Sequence, residues 1–232
     1  MRPFLSSLFV VACLSLVLWA RPTITTAAAE GRVAGPSGGE APMPKQCRPG
    51  KTSTEALGWR WKPNKRVSIY YLRNNFKKEE TAAFSRAVQN WNSALKEIDS
   101  RIVFTIGGER DDITEDDASI TVWRGIPKGK DRLGQLRVYS MSNGVMRATL
   151  TISPVVTDLN ALTSLMAHEI GHSLGLADCY ECKRGTTAMA AFKDQNKGND
   201  VYAPSECDKY VVAAGYAGEF NMQARVVLTG QE

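Results

Sequence analysis

Histidine is almost absent from this sequence, with only two residues in a chain of 232. The basic residues are scattered, and no stripe that could follow a nucleic acid is present, which argues against a nucleic-acid partner. No internal repeat is apparent. The net charge of +5 is mild and is explained by solubility rather than by a charged partner. The length suits about one folded domain and a short leader.

A long hydrophobic run occurs only at the N-terminus. Arg2 precedes residues 4–19, which are almost entirely apolar or small, and residues 27–29 are three alanines before Glu30. This pattern predicts a secretory signal peptide over residues 1–29. Cleavage near Ala20 and a retained membrane anchor stay open, because the run is near the shortest length that spans a bilayer. We expect a secreted, extracellular protein without stable membrane association, with a periplasmic or membrane-anchored protein as the alternative.

Hydrophobic periodicity is missing from residues 30–56, which are rich in Gly, Pro, Ala and Ser and predict a linker or short pro-segment. Residues 57–232 are expected to form the folded domain. Within it, strands are predicted at residues 67–72, 102–106, 119–123, 136–139 and 145–152. An acidic run lies between the second and third of these and comprises Asp111, Asp112, Glu115, Asp116 and Asp117. It lacks the ordered ligand spacing of a Ca²⁺ loop, so a solvated loop is the better interpretation and Ca²⁺ an unsupported alternative.

Three helices are predicted from apolar spacing and capping residues. The first buries a stripe of Phe84, Val88, Trp91, Leu95 and Ile98. The second is capped by Asp158 and turns one face inward, formed by Leu162, Leu165, Met166 and Ile170, with the histidines on the other side. The third is expected over residues 205–216, with Ser205 and Asp208 at the spacing of a helix cap.

Both histidines belong to one motif on the second helix. His168 and His172 are four positions apart, so their side chains lie one above the other and can reach one Zn²⁺. Glu169 between them can take a proton from metal-bound water. Gly175 can end the helix in a left-handed turn that would bring Asp178 back as the third ligand. Packed or solvated histidines are the common alternative, but here a helix pattern, a glycine and an acid coincide.

This pattern, HExxHxxGxxD, resembles the metzincin clan of zinc peptidases and is similar to the snapalysin family, with Asp178 where most of the clan has a third histidine. The element order also looks like a matrixin catalytic domain over about residues 59–217. The resemblance implies an α+β fold with a twisted, mixed, mostly parallel sheet and an antiparallel edge strand, packed on a long helix, an active-site helix and a C-terminal helix. It implies a tight turn with Met189 under the metal. It also implies an edge strand that pairs with substrate, for which the candidates are Leu136, Arg137, Val138 and Tyr139.

The activity that the resemblance implies is a secreted zinc-dependent endopeptidase, expected to be a monomer, that acts on protein or peptide substrates. One catalytic Zn²⁺ would be held by the two histidines and Asp178, with Glu169 as the general base. Two alternatives stay open: a catalytically inactive, secreted, zinc-bearing binding module, and a metallopeptidase whose third ligand is Glu206. For an oxyanion-stabilising tyrosine, Tyr202 is a weak candidate.

Cysteine is also scarce, and Cys13 would leave with the leader. The mature chain would keep Cys47, Cys179, Cys182 and Cys207. An even number in an exported protein favours two disulfides, with three pairings open. We favour Cys182–Cys207 and Cys47–Cys179, with Cys179–Cys182 as an alternative. A second metal site or redox exchange at Cys179 and Cys182 fits less well, since no second such pair and no spare histidine exist. Residues 45–50 faintly resemble the cysteine-switch segment of matrixin propeptides, which adds the alternative that Cys47 is a free thiolate on the zinc.

Overall fold

The predicted strands and helices fold into an α+β arrangement. The computed structural model describes residues 43–113, 116, 118–129, 131–140, 146–191, 200–217 and 226–228, and the predicted leader lies outside them. The elements follow in the order β1 Arg66–Leu72, α1 Lys78–Glu97, β2 Val103–Arg110, β3 Ser119–Arg124, β4 Gly134–Ser140, β5 Met146–Ile152, α2 Leu159–Ser173, α3 Glu206–Ala217 and β6 Val226–Leu228.

The sheet is mixed and mostly parallel, as predicted. Its strand order is β2-β1-β3-β5-β4-β6. β1 pairs in parallel with β2 and β3, and β3 pairs in parallel with β5. β4 is antiparallel to β5. Alternate residues of β1, namely Val67, Ile69 and Tyr71, are buried, so one face of the sheet forms the core.

Helix α1 packs against this core. The predicted stripe is confirmed for Phe84, Val88, Trp91 and Leu95, which are at most 3% exposed. Its first turn is closed by Glu80, whose Oε2 accepts the Lys77 N–H at 2.8 Å. The indole N–H of Trp91 donates to Ala167 O at 2.7 Å, which joins α1 to α2.

Helix α2 is buried on every side from Ala161 to Ser173. Asp158 caps it as predicted, because its carboxylate accepts the Ala161 N–H at 2.8 Å. The side of α2 that carries the histidines is buried too, with His168 5% and His172 4% exposed. Trp59 donates from Nε1 to the backbone carbonyl His172 O at 3.0 Å. The histidines therefore lie in the low-dielectric interior, where charge interactions are stronger than at the surface.

Strand β4 is antiparallel, as predicted, but it is not the edge of the sheet. β6, which the sequence did not predict, pairs antiparallel with it and places Val226 opposite Tyr139 and Leu228 opposite Arg137. Residues 137–139 are therefore paired with β6 in this structure, and the pairing of residues 136–139 with substrate stays a prediction. The physical reason is that an open strand edge carries unpaired backbone groups, and a later segment of the same chain satisfies them here.

The described part of the predicted linker, residues 43–56, packs against the folded domain. Ser53 and Thr54 are fully buried. Ala56 forms an antiparallel bridge with Leu176, and the Ala177 N–H donates to Glu55 O at 2.8 Å. This segment has no hydrophobic period because backbone pairing, rather than an apolar face, holds it in place.

Two disulfides form, as predicted, but the favoured pairing is wrong. Cys47 is bonded to Cys207, and Cys179 is bonded to Cys182. The loop after α2 reverses within three residues and brings the Cα atoms of Cys179 and Cys182 to 5.3 Å, a usual disulfide separation. Cys47 is consequently not a free thiolate, which contradicts the cysteine-switch alternative. Disulfides indicate a non-cytoplasmic protein; within the described ranges, no helix is long and apolar enough to cross a membrane.

Candidate metal centre

Three ligand atoms meet at the C-terminal end of α2 and could hold a metal ion. His168 Nε2 lies 3.1 Å from Asp178 Oδ1, and His172 Nε2 lies 3.6 Å from the same oxygen. Two ligands of a tetrahedral ion with bonds of about 2.05 Å are about 3.3 Å apart, so these separations fit such an ion. Asp178 Oδ1 is buried and makes no hydrogen bond of good geometry in the described residues. A buried oxygen of this kind calls for a further partner, and a cation would provide it.

Backbone carbonyls orient the two imidazoles. His168 Nδ1 donates to Ala188 O at 2.8 Å, and His172 Nδ1 donates to Leu176 O at 2.8 Å. A hydrogen on Nδ1 leaves Nε2 as the coordinating atom of each ring. The rotation of both rings and the ligating nitrogen are therefore fixed by the surrounding loops.

The turn that returns Asp178 depends on Gly175, as predicted. Gly175 has φ +89°, a left-handed conformation that side chains disfavour. A Cβ at this position would also overlap the carbonyl oxygen of Trp59. The following residues are held by the N-terminal segment, since Thr54 Oγ1 donates to Ala177 O at 2.5 Å. The third ligand is thus positioned by a glycine and by a segment more than 100 residues away.

The three ligand side chains differ in proton affinity. Burial disfavours the charged form of His168, but the contact with Asp178 and the attraction of Asp178 and Glu169 outweigh it and raise its pKa to about 9. For His172 burial dominates and lowers the pKa to about 4. Burial also disfavours ionised Asp178, yet both imidazoles and the Tyr180 hydroxyl hold its pKa at about 2. In the metal-free chain at neutral pH, His168 is therefore protonated and faces ionised Asp178. A metal ion bound to both side chains would replace that proton.

Glu169 lies next to the ligands and beneath β4. Its carboxylate accepts the Leu136 N–H, and its Oε2 is buried without a hydrogen-bond partner in the part of the chain that is described. A Cβ on Gly134 would overlap Glu169 Oε1, so the strand approaches as closely as glycine allows. Burial raises the pKa of Glu169 to about 7, against the opposing effects of His168 and Arg132. A carboxyl group with this pKa can take and return a proton at physiological pH.

Met189 lies in the loop after Asp178 and packs against α2 at Gly171. It is fully buried, and its Sδ fills the space beside Gly171, so that a side chain at Gly171 would overlap it. The loop after Asp178 pairs with the Met189 turn, since the Cys179 N–H donates to Met189 O at 2.7 Å. Met189 therefore supports the floor of the site by packing.

Asp208 in α3 links the third helix to the metal ligands. Its carboxylate accepts the Thr187 hydroxyl at 2.5 Å and the Ala188 N–H at 3.2 Å. Ala188 O in turn accepts the Nδ1 hydrogen of His168, so one residue, Ala188, connects Asp208 to a candidate ligand. The predicted cap contact is also present, since Ser205 N–H donates to Asp208 at 2.8 Å. Sequence reasoning found the cap but missed this link, because no local pattern reveals a contact 20 residues away.

Two tyrosines and Glu206 lie at different distances from the ligand group. Tyr180, which sequence reasoning missed, donates its hydroxyl to Asp178 and is 57% exposed at the rim of the site. Tyr202, the weak candidate, contacts Asn90 through its backbone carbonyl. The Glu206 side chain is 77% exposed and pairs with Lys209 at 2.5 Å, outside the ligand group. Of the two candidates for the third ligand, it is Asp178 that lies at ligand distance from the histidines. The position of Tyr180 two residues after Asp178 was the one available signal for it.

The acidic run forms surface ion pairs where it is described. Asp111 pairs with Arg73 at 2.5 Å, and Asp116 pairs with Arg110 at 2.9 Å. Among the described residues, the histidine and aspartate group is the one cluster of ligand type. These contacts agree with a solvated loop.

Comparison with known proteins does not assign this chain to a family. No protein-family model and no curated protein sequence matches this chain. What the chain does is therefore inferred from its own residues and their geometry.

Proposed function

We propose that this chain is a zinc-dependent endopeptidase of the metzincin type that acts outside the cytoplasm. The observation that carries the proposal is the spacing of the His168, His172 and Asp178 ligand atoms, with the Glu169 carboxylate buried beside them. A metal site with an adjacent general base on one helix is the arrangement that peptidases with this motif use. The two disulfides support a secreted protein.

Zinc is the metal that this donor set favours. Two imidazole nitrogens and one carboxylate oxygen leave one tetrahedral position open, as in catalytic zinc sites. Magnesium and calcium prefer more oxygen ligands and larger coordination numbers. When bound, Zn²⁺ would polarise a peptide carbonyl and lower the pKa of a water molecule.

Glu169 is the general base and later the general acid. Its Oε2, which lacks a partner within the described residues, accepts a proton from the attacking water, and the same carboxyl returns it to the leaving amine. Glu169 has a pKa of about 7 in the metal-free chain, and beside a bound cation it would be more fully ionised. The Leu136 N–H holds the carboxylate in position.

The bound peptide lies extended along β4. Gly134 and Leu136 both contact Glu169, so this end of β4 borders the reacting carbonyl. Backbone groups along a strand edge bind a peptide by adding it to the sheet. The Tyr180 hydroxyl, at the exposed rim, donates its one hydrogen to Asp178 and so helps to position the third ligand.

The test is Glu169→Gln, which keeps the shape of the side chain but removes its basicity. We expect the zinc content to stay at one ion per chain and the hydrolysis of casein to fall by at least ~10²-fold, the scale of general acid–base catalysis. Glu79→Gln, at an exposed position of α1, is the matched control and should leave both unchanged. Activity near the wild-type level in Glu169→Gln would contradict the mechanism.

Zinc-loaded wild-type protein decides between the proposal and the inactive binding module. Cleavage of casein at internal bonds supports an endopeptidase. Stoichiometric zinc without cleavage would contradict it and leave the binding module.

A further inference from the structure

Strand β4 passes over Glu169 at one end and carries another strand at the other end. Gly134 and Leu136 border the Glu169 carboxylate. Arg137 and Tyr139 are instead opposite Leu228 and Val226 of β6. The outer edge of one strand is therefore shared between the site and the C-terminal segment of the chain.

β6 runs in the direction that a substrate would take. It is antiparallel to β4 and ends at Leu228, opposite Arg137 and one position short of Leu136. An extended peptide that runs antiparallel along β4 toward Glu169 needs the same backbone groups of residues 137–139. Each strand edge can pair with one neighbour at a time, so β6 and such a peptide exclude each other.

The pairing of β6 is suited to reversible competition. β6 has three residues and is the last strand in the order of the described sheet, where it pairs with β4. Such short pairings are weak by themselves. The sequence Val226-Val227 is β-branched and favours an extended backbone. Because β6 belongs to the same chain, its effective concentration at β4 is on the millimolar scale, which offsets the weakness.

We propose that β6 is an internal competitor for the substrate edge of β4, which covers residues 137–139 in the resting chain and leaves when an extended peptide pairs there. The proposal rests on the proposed function, because it requires β4 to be the strand that pairs with substrate. A competitor that covers the edge for about nine-tenths of the time weakens apparent peptide binding about tenfold.

The experiment compares two changes that remove the pairing with two that keep it. A chain that ends at Ala224 lacks β6, whereas a chain that ends at Leu228 keeps it. In the full-length chain, Val227→Pro removes a backbone donor and disfavours the strand, whereas Val227→Thr keeps a β-branched residue. All four proteins are studied with zinc bound.

Two measurements are made on each protein. Hydrogen exchange at the amides of residues 137–139 should be faster without β6 pairing, while exchange in α1 stays unchanged as a check on folding. The KM for an unstructured peptide should fall by about 3- to 10-fold at constant kcat in the same two variants. A synthetic peptide of residues 224–228 should raise the KM of the chain that ends at Ala224.

The outcomes separate this inference from the proposed function. Unchanged exchange at residues 137–139 in the chain that ends at Ala224 overturns the inference, with or without hydrolysis. A lower kcat or a higher KM after removal of β6 also overturns it. Faster exchange without hydrolysis in any of the zinc-loaded proteins overturns the proposed function and leaves β6 as the occupant of the edge.

Discussion

At the residue scale, the two histidines are similar in burial but opposite in proton affinity. Both donate from Nδ1 to a backbone carbonyl. His168 alone faces both Asp178 at 3.1 Å and the Glu169 charge, which raises its pKa to about 9. A metal ion must therefore replace a proton rather than enter a neutral site.

The first prediction concerns this proton. Because the pKa of His168 is raised to about 9, the metal-free site holds the proton below that pH, and zinc affinity should increase as the pH rises from 6 to 9. We expect the release of about one proton per zinc at pH 8, with a further fraction at pH 7 from Glu169. Calorimetry in two buffers of different ionisation enthalpy measures the release. Zinc binding without proton release would contradict the assigned protonation.

The second prediction concerns the third ligand. Asp178→Ala removes one of the three proposed ligands and leaves His168 without its charged neighbour. Zinc affinity should fall by more than ~10²-fold, since even residues that only orient a ligand change affinity by about 10- to 100-fold. Competition with a chromogenic chelator measures it, and Glu206→Ala is the control with unchanged affinity. Loss of zinc in the control alone would make the ligand assignment wrong.

At the scale of elements, the candidate site is built on α2, and α3 and β4 supply further contacts to it. β4 supplies the Leu136 N–H to Glu169. α3 supplies Asp208, which is fully buried and accepts hydrogen bonds from Thr187 and Ala188 in the Met189 turn. The position of each side chain in the candidate site is therefore a property of packed elements rather than of one motif.

The third prediction tests the α3 contact. Asp208→Ala leaves several buried donors without an acceptor, which should lower the free energy of unfolding by about 3 kcal/mol. It should also weaken zinc binding by about 10- to 100-fold, since Ala188 O orients His168. Asp208→Asn keeps one acceptor oxygen and should show smaller losses. Urea unfolding and chelator competition measure the two effects; unchanged zinc affinity in the alanine variant would show that the contact does not reach the metal.

At the scale of the whole molecule, two disulfides act over very different lengths of chain. Cys47–Cys207 joins residues 160 apart, whereas Cys179–Cys182 joins residues three apart. The loss of chain entropy gives about 5 kcal/mol of stabilisation for the long closure and about 2 kcal/mol for the short one. The long bridge connects the N-terminal segment to α3, and the short one follows Asp178 directly.

The fourth prediction separates these roles. Replacing Cys47 and Cys207 by alanine should lower the free energy of unfolding by up to about 5 kcal/mol, as measured in urea. Replacing Cys179 and Cys182 should cost about 2 kcal/mol but weaken zinc binding more, because Cys179 adjoins the third ligand. The assignment would be contradicted if replacing Cys179 and Cys182 lowered the free energy of unfolding more, and replacing Cys47 and Cys207 weakened zinc binding more.

The sequence by itself determined whatever depends on nearby residues. Helical spacing predicted α1 and its buried stripe, Asp158 predicted the start of α2, and the glycine at 175 predicted the turn to Asp178. Local geometry and steric limits act within a few residues, so these features are legible in the chain. The histidine and aspartate group was predictable for the same reason.

The tertiary structure decided what depends on distant segments. The pairing Cys47–Cys207, the contact of Asp208 with the Met189 turn, the docking of residues 54–57 on the loop after α2 and the coverage of β4 by β6 were all absent from the sequence analysis or wrong in it. Hydrogen bonds and disulfides between remote residues require only matching chemistry and a small separation. The packing of the whole chain sets that separation, and no local pattern records it.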